Sequence, residues 1–431
     1  MTGPAARPGP DPPAPAAGET PRYRPFEVVG LELEYPIVDR DLAVRPLVEP
    51  AFRRLHGRPT SDVAVGRAGL SNELAAHVLE VKTLEPEARL VEAERVLAGA
   101  VGDFSRLLAD EFDARLLPTG MHPLMRPEEG ELWRRSGRQI YATYDRVFGI
   151  RGHGWLNLQS CHVNLPFGDE GETVRMHDAI ACLLPYLPAL AASSPLVEGR
   201  LGPAVDNRLA VYATNQARVP AVAGDIVPEY MGSFRRYRRE VLGGIYRELR
   251  KIPEARGLAR EWVNSRGAIV RFSRRAIEIR VLDVQECVRM DVAIAAFVRG
   301  ALVRLTGRMA AGEVERPAHA VLVADYRAAV AAGTAARVAA PHLAPLAGAG
   351  PGTTLPAGEL LAALADDARA GLAAEERPYL DLVASRLAGG NLSERIRRRV
   401  EAAPARRRDG EIRALYGELA DCLVENRIWE G

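Results

Sequence analysis

Glu32 and Glu34 stand two positions apart in GLELEY at 30–35. On a β-strand, alternation sends both carboxylates to one face and Leu31 and Leu33 to the other. Two carboxylates side by side repel, and a nearby cation would explain them. Taken alone, the segment also fits a solvent-facing strand edge. The same design recurs three times. In HVLEVKT at 77–83, Leu79 and Val81 share a face and Glu80 points the opposite way. In LQSCHVNLPF at 158–167, Ser160, His162 and Asn164 share one face, with Cys161, Val163 and Leu165 on the other. In RAIEIRVLDV at 275–284, Ile277, Ile279 and Val281 lie opposite Glu278 and Arg280.

Four strands of this kind predict a sheet with one face against helices and one face lining a charged site. Carboxylates with one imidazole and no clustered thiolates suit Mg²⁺ or Mn²⁺. An arginine beside a metal-binding glutamate suits phosphate, because its fork holds two oxygens. Arg280 should sit about 6–7 Å along the strand from Glu278. The plain structural alternative is an ion pair of Arg280 with Glu278 or Asp283.

The elements that must position these groups can be read from periodicity. Residues 26–39, 76–83 and 158–166 read as strands, and 268–284 as a hairpin. Residues 88–112, 172–193 and 289–310 carry helical spacing. After Met309 the chain turns Ala- and Leu-rich. Helices are expected over 318–340, 358–388 and 391–428, with a loop at 344–356. The division expected is a disordered Pro/Ala-rich leader at 1–24, an α+β catalytic domain at 25–310 and a helical C-terminal region at 311–431.

Composition narrows the function. Fifty-seven basic residues against 56 acidic ones leave a net charge of +1 in 431 residues. A nucleic-acid binder needs a basic excess, so nucleic acid is excluded as a partner. Four scattered cysteines make neither a disulfide framework nor a zinc site. Cys161 and Cys182 read as core. No apolar run is long enough for a membrane span, and the N-terminus lacks a signal-peptide pattern. A cytoplasmic location is expected. The chain lacks GxxxxGK[ST], a strand-following GxGxxG, GxSxG and HExxH. A nucleotide would therefore sit on the polar sheet face.

These segments resemble the glutamate–cysteine ligase family of glutamine-synthetase-like carboxylate-amine ligases. GLELEY resembles its opening GxExE strand. NELAAHVLEVKTLEP at 72–86 resembles its second acidic motif, with Glu73 seven positions before Glu80. QSCHVNLPF, ALAASSPLVEGR at 189–200 and AIEIRVLDVQ at 276–285 resemble its H-x-N, A-S-S-P and E-x-R-x-x-D segments. The order and spacing hold over about 26–305. The resemblance implies an antiparallel saddle-like sheet with helices on its outer face. It implies ATP and Mg²⁺ (or Mn²⁺) on the concave face. It also implies activation of a glutamate carboxylate as an acyl phosphate, which an amine then attacks. By motif, Glu32, Glu34, Glu73, Glu80, His162 and Glu278 would bind metal, and Arg280 would contact the transferring phosphate.

His122, Arg208 and Arg218 are further candidates for ATP or substrate, and Asn215, Arg146, Arg151 and His153 lie in neighbouring segments. Trp155 and Trp262 read as packing residues. The expected activity is γ-glutamyl transfer to an amine. Alternatives are the same chemistry on another amine or a peptide, or a guanidino-kinase-like phosphotransfer. Assembly as a homo-oligomer stays open.

Overall fold

The computed structural model describes residues 23–135, 138–350 and 352–431. The leader expectation falls almost wholly outside them. An eight-stranded antiparallel sheet forms the centre. Its strands are β1 (Gly30–Val38), β2 (Asp62–Val65), β3 (Ala68–Asn72), β4 (Val78–Thr83), β5 (Arg115–Leu116) and β6 (Ser160–Pro166). A short hairpin of β7 (Leu196–Val197) and β8 (Arg200–Leu201) stands apart from it. β9 (Ala268–Arg271) and β10 (Ala276–Asp283) complete the sheet. The order is β2-β3-β4-β1-β6-β10-β9, with β5 also on β1. A ladder of β11 (Arg337–Val338) and β12 (Leu355–Pro356) lies in the C-terminal region.

The alternation read from the sequence holds on β1, β4 and β6. Leu31, Leu33, Leu79, Val81, Val163 and Leu165 are all buried in the main core. The helices at Leu90–Phe112, Glu170–Leu183 and Val288–Ala310 contribute to that core. Burying one Leu or Val side chain contributes roughly 1.5–3 kcal/mol, so a whole apolar face fixes the register. A one-residue slip would carry every carboxylate into the helices.

β10 departs from simple alternation. Its pairing with β6 shifts between Ile279 and Leu282, the signature of a bulge. Leu282 then pairs opposite Cys161, and Asp283 opposite Ser160. Asp283 thus joins the polar side, which an unbroken period of two would have denied it.

The helical expectations after 310 are broken more often than the sequence suggested. The 358–388 stretch is two helices, Ala357–Ala368 and Pro378–Gly389, separated by short 3₁₀ turns. The 391–428 stretch breaks after Ala402, just before Pro404, into Leu392–Ala402 and Arg408–Glu425. Proline removes a backbone donor and disfavours helix in the residue before it. The helices at 357–368 and 378–389 pack directly on Val288–Ala310 and share its core. Among the described residues, no helix is long and apolar enough to cross a membrane. All four cysteines are free and buried.

Candidate active site

Register places the polar groups in rows. Ser71 pairs with Glu80, and Glu80 with Glu34, across β3, β4 and β1. The next row runs Lys82, Glu32 and His162 across β4, β1 and β6. Glu278 on β10 stands opposite Asn164. Five strands therefore deliver one continuous polar patch, and Glu73 joins it from the segment just past the end of β3.

Two triads result. Glu32, His162 and Glu278 each offer a ligand atom, and these atoms lie within 4.8 Å of one another. Glu34, Glu73 and Glu80 form a second such group. At that separation two carboxylates repel by on the order of 3–4 kcal/mol at an effective dielectric of about 20. All six are oxygen donors but for one imidazole, a hard set that fits Mg²⁺ or Mn²⁺.

The electrostatics carry the same message. Burial pushes the Glu73 carboxyl well above its ordinary value, and Glu34, Glu80 and Glu32 add to the rise. Burial also raises Glu34, helped by Glu80 and opposed by His162 and Ser160. Burial would raise Glu32 too, but His162, Arg274 and Lys82 outweigh it and hold its carboxyl at about 2. His162 is raised despite burial, because Glu32, Glu34 and Glu278 stabilise its cation. Its Nδ1 lies 3.0 Å from Glu32 Oε2, and its Nε2 lies 2.8 Å from Ser160 Oγ. Ser160 also donates from its backbone N and its Oγ to Glu34, at 2.7 and 2.9 Å.

Cations ring the triads. Lys82 Nζ donates to Glu80 and to Ser71 Oγ, both at 2.8 Å. Arg271 Nη1 donates to Glu278 at 2.6 Å, and Arg274 Nη1 reaches Glu32 at 3.3 Å. Arg280 Nε lies 3.1 Å from Glu278 Oε1, closer than the strand spacing suggested, because the two side chains fold together. Arg280 lines both lobes of the cleft.

One lobe, about 380 Å³, holds both triads with Lys82, Arg271 and Arg274. The other, about 320 Å³, is walled by Tyr144, Trp155, Tyr212 and Trp262. Glu34, Glu73, Tyr141, His162 and Arg280 are common to the two. Trp155 and Trp262 do pack, each against Tyr144, at ring distances of 5.2 and 6.0 Å. They also face the cleft.

The remaining candidates divide. Arg208 is buried beside the cleft and paired with Asp283, and its Nη2 donates to Arg280 O at 3.3 Å. Asp283 also accepts from Ser193 N and Ser194 Oγ, so the A-S-S-P segment anchors this pair. A Cβ at Gly120 would sit 2.3 Å from the Asp283 carboxyl carbon, so only glycine lets that loop pass. Asn215 lines the aromatic lobe and donates to Gly154 O.

His122 does not reach the cleft. Its Nε2 bonds Leu42 O at 2.8 Å, and its Nδ1 accepts from the Leu124 and Met125 amides. Burial lowers it to about 3, and both ring nitrogens are committed to backbone groups of the surrounding loops. Arg218 is exposed and caps the carbonyls of Arg146 and Val147 at 2.9 and 3.0 Å. Arg146 donates to Thr143, Arg151 to Asp145, and His153 pairs with Glu198. None of these four lines the cleft.

Sequence reasoning passed over Lys82, Ser71, Arg271 and Arg274. Lys82 was legible, two positions beyond Glu80 on the same face. Ser71 lies on the β2–β3 hairpin, which carries too little periodicity to be read as strands.

Residues 28–418 match the profile of glutamate-cysteine ligase family 2. The match runs past the quoted motifs into the last helix. An uncharacterized protein of Archaeoglobus fulgidus is 38% identical over 402 residues, 93% of this chain and all of that one. A putative glutamate–cysteine ligase 2-3 of Rubrobacter xylanophilus is 33% identical over 196 residues, 45% of this chain and 48% of that one. Among solved structures, glutamate–cysteine ligase of Francisella tularensis in complex with AMP superposes with a TM-score of 0.56 at 12% identity, over 91% of each chain. A bifunctional glutathione synthetase of Pasteurella multocida gives 0.60 at 14% identity, over 92% of this chain and 53% of that one. At these identities the likeness is one of fold, the glutamine-synthetase-like saddle.

Proposed function

Since the chain belongs to glutamate-cysteine ligase family 2, a family of ATP-dependent carboxylate-amine ligases, we propose that it forms an amide from glutamate, or a similar carboxylate, and an amine through an acyl phosphate. The observation that carries this reading is the pair of triads on one sheet face with Arg280 beside them. Bound Mg²⁺ or Mn²⁺ would supply charge neutralisation for the phosphates and the reacting carboxylate.

Glu32, His162 and Glu278 would hold one ion, and Glu34, Glu73 and Glu80 the other. The register of β1, β4, β6 and β10 keeps five of these donors converged, and Glu73 joins them from just past the end of β3, so ligand geometry would need little reorganisation at the moment of reaction. Arg280 offers its fork toward both lobes, the place where a phosphoryl group would pass from nucleotide to carboxylate. Arg271, Arg274 and Lys82 supply further positive charge at the nucleotide end. Arg208 and Asp283 act on Arg280 at one remove, by fixing the backbone of the bulge that carries it. Catalysis on this plan is mostly positioning and charge stabilisation.

Hydroxylamine trapping tests the reading. With ATP, Mg²⁺ and glutamate, hydroxylamine should yield a glutamyl hydroxamate and ADP in equal amounts. ADP formation with a stable phosphorylated product and no hydroxamate would favour phosphotransfer without ligation. The same trap run over a panel of carboxylates identifies the donor.

A further inference from the structure

We infer that the aromatic lobe takes the acceptor as an arylalkyl or similarly apolar amine that carries no carboxylate, rather than an α-amino acid. The inference rests on the ligase reading above and names its second substrate.

Three observations carry it. The wall consists of Tyr144, Trp155, Tyr212 and Trp262, extended by Ile140 and Leu158. Such rings bury large apolar area and attract an ammonium group over their faces. The cations lining this lobe are Arg208 and Arg280, apart from the His162 imidazole among the described residues. Arg208 is tied to Asp283, His162 is held by Glu32 within the triad, and Arg280, beside Glu278, is the fork that the ligase reading gives to the phosphoryl group. An acceptor carboxylate placed here would find no cation left for it, and a charge buried without a partner is strongly disfavoured. The counter-ions with exposure to spare, Arg274 above all, lie at the other lobe, beside the triads. Charged parts of ATP and of the carboxylate substrate belong there.

The third observation is Gln216. It lines the aromatic lobe, is 3% exposed, and its Oε1 has no hydrogen-bond partner. Its Nε2 donates to Ser265 Oγ at 3.3 Å. A buried acceptor left unmade calls for a donor, and an amine N–H supplies one.

The test compares 2-phenylethylamine with L-phenylalanine, which adds only a carboxylate, and with L-cysteine. With saturating Mg-ATP and glutamate, kcat/KM for 2-phenylethylamine should exceed that for either amino acid at least tenfold. Gln216→Leu removes an unsatisfied group, so it should fold with an undiminished Tm. It should raise the KM for 2-phenylethylamine severalfold. Hydroxylamine, too small to need the aromatic wall, reports on the ligase reading alone. Hydroxamate formation together with preference for cysteine or phenylalanine overturns the inference and leaves the ligase reading standing. If no hydroxamate forms, the ligase reading fails, and binding decides the inference separately. In that case, saturable quenching of tryptophan fluorescence by 2-phenylethylamine but not by phenylalanine supports it. Equal quenching by both, or none, overturns it.

Discussion

His162 and Glu32 face each other across the β1–β6 register, and the imidazole Nδ1 lies 3.0 Å from the carboxylate. Ser160 holds the other ring nitrogen at 2.8 Å. The ring is thereby fixed from both sides, with one nitrogen committed to the triad and the other to a neighbour that also anchors Glu34. A ligand oriented this way needs little adjustment to receive an ion.

Loss of either triad should abolish turnover while sparing the fold. Glu32→Ala and Glu80→Ala should each lower kcat by on the order of a hundredfold or more, since a metal's charge stabilisation is worth several kcal/mol. Circular dichroism should stay that of the wild type. Near-normal rates in a folded variant would remove that triad from the chemistry.

Metal content can be read directly. Crystals soaked with Mn²⁺ should give two anomalous peaks, one among Glu32, His162 and Glu278 and one among Glu34, Glu73 and Glu80. Peaks elsewhere, or none at millimolar Mn²⁺, would contradict the assignment of ligands.

The raised Glu73 carboxyl sets a pH dependence for the metal-free protein. Its folded pKa lies above the ordinary 4.5. The stability it contributes is full below that value and is lost as pH rises through the folded pKa. Glu73→Gln mimics the neutral form. With EDTA present, the variant should match the wild type near pH 4.5 and gain on it in Tm as pH rises toward 8. Mg²⁺ should restore the wild type and leave the variant behind. A difference independent of pH would show that Glu73 feels no such crowding.

Much of this was legible in the sequence, and the limits have physical causes. Glu32, Glu34, Glu80, His162 and Glu278 stand out because strands alternate and because apolar residues at the intervening positions reveal the buried face. The grouping of Glu278 with Arg280 followed from the same rule. Asp283 obeys no such rule, because the bulge before Leu282 inverts its face, and nothing local in VLD announces a bulge. His122 resembled a site residue because it sits between turn residues near the sheet. Only the tertiary contacts reveal that both ring nitrogens are spent on backbone groups. The C-terminal helices read as longer than they are because Ala-rich periodicity continues across the breaks at 369–377 and 403–407.

Arg208 and Asp283 should matter for stability more than for binding. Both are buried, and removing one partner leaves the other charge uncompensated. Asp283→Asn should cost about 3 kcal/mol in denaturant unfolding. A loss within experimental error would mean that the ion pair does not hold the bulge.

Arg280→Lys separates a transition-state role from a structural one. Lysine keeps the charge and loses the fork. The account expects kcat to fall more than the KM for ATP rises, by on the order of tenfold or more, with Tm little changed. Full kcat with a lowered Tm would reduce Arg280 to the structural partner of Glu278.

The acyl phosphate itself can be followed by isotope. Glutamate labelled with ¹⁸O in its side-chain carboxyl is converted with Mg-ATP and a productive amine, and the released inorganic phosphate is analysed by mass spectrometry. If the carboxylate attacks the γ-phosphoryl group on this sheet face, one ¹⁸O atom passes to phosphate for each amide formed. Phosphate free of ¹⁸O, with amide accumulating at the same rate, would contradict carboxylate activation by ATP.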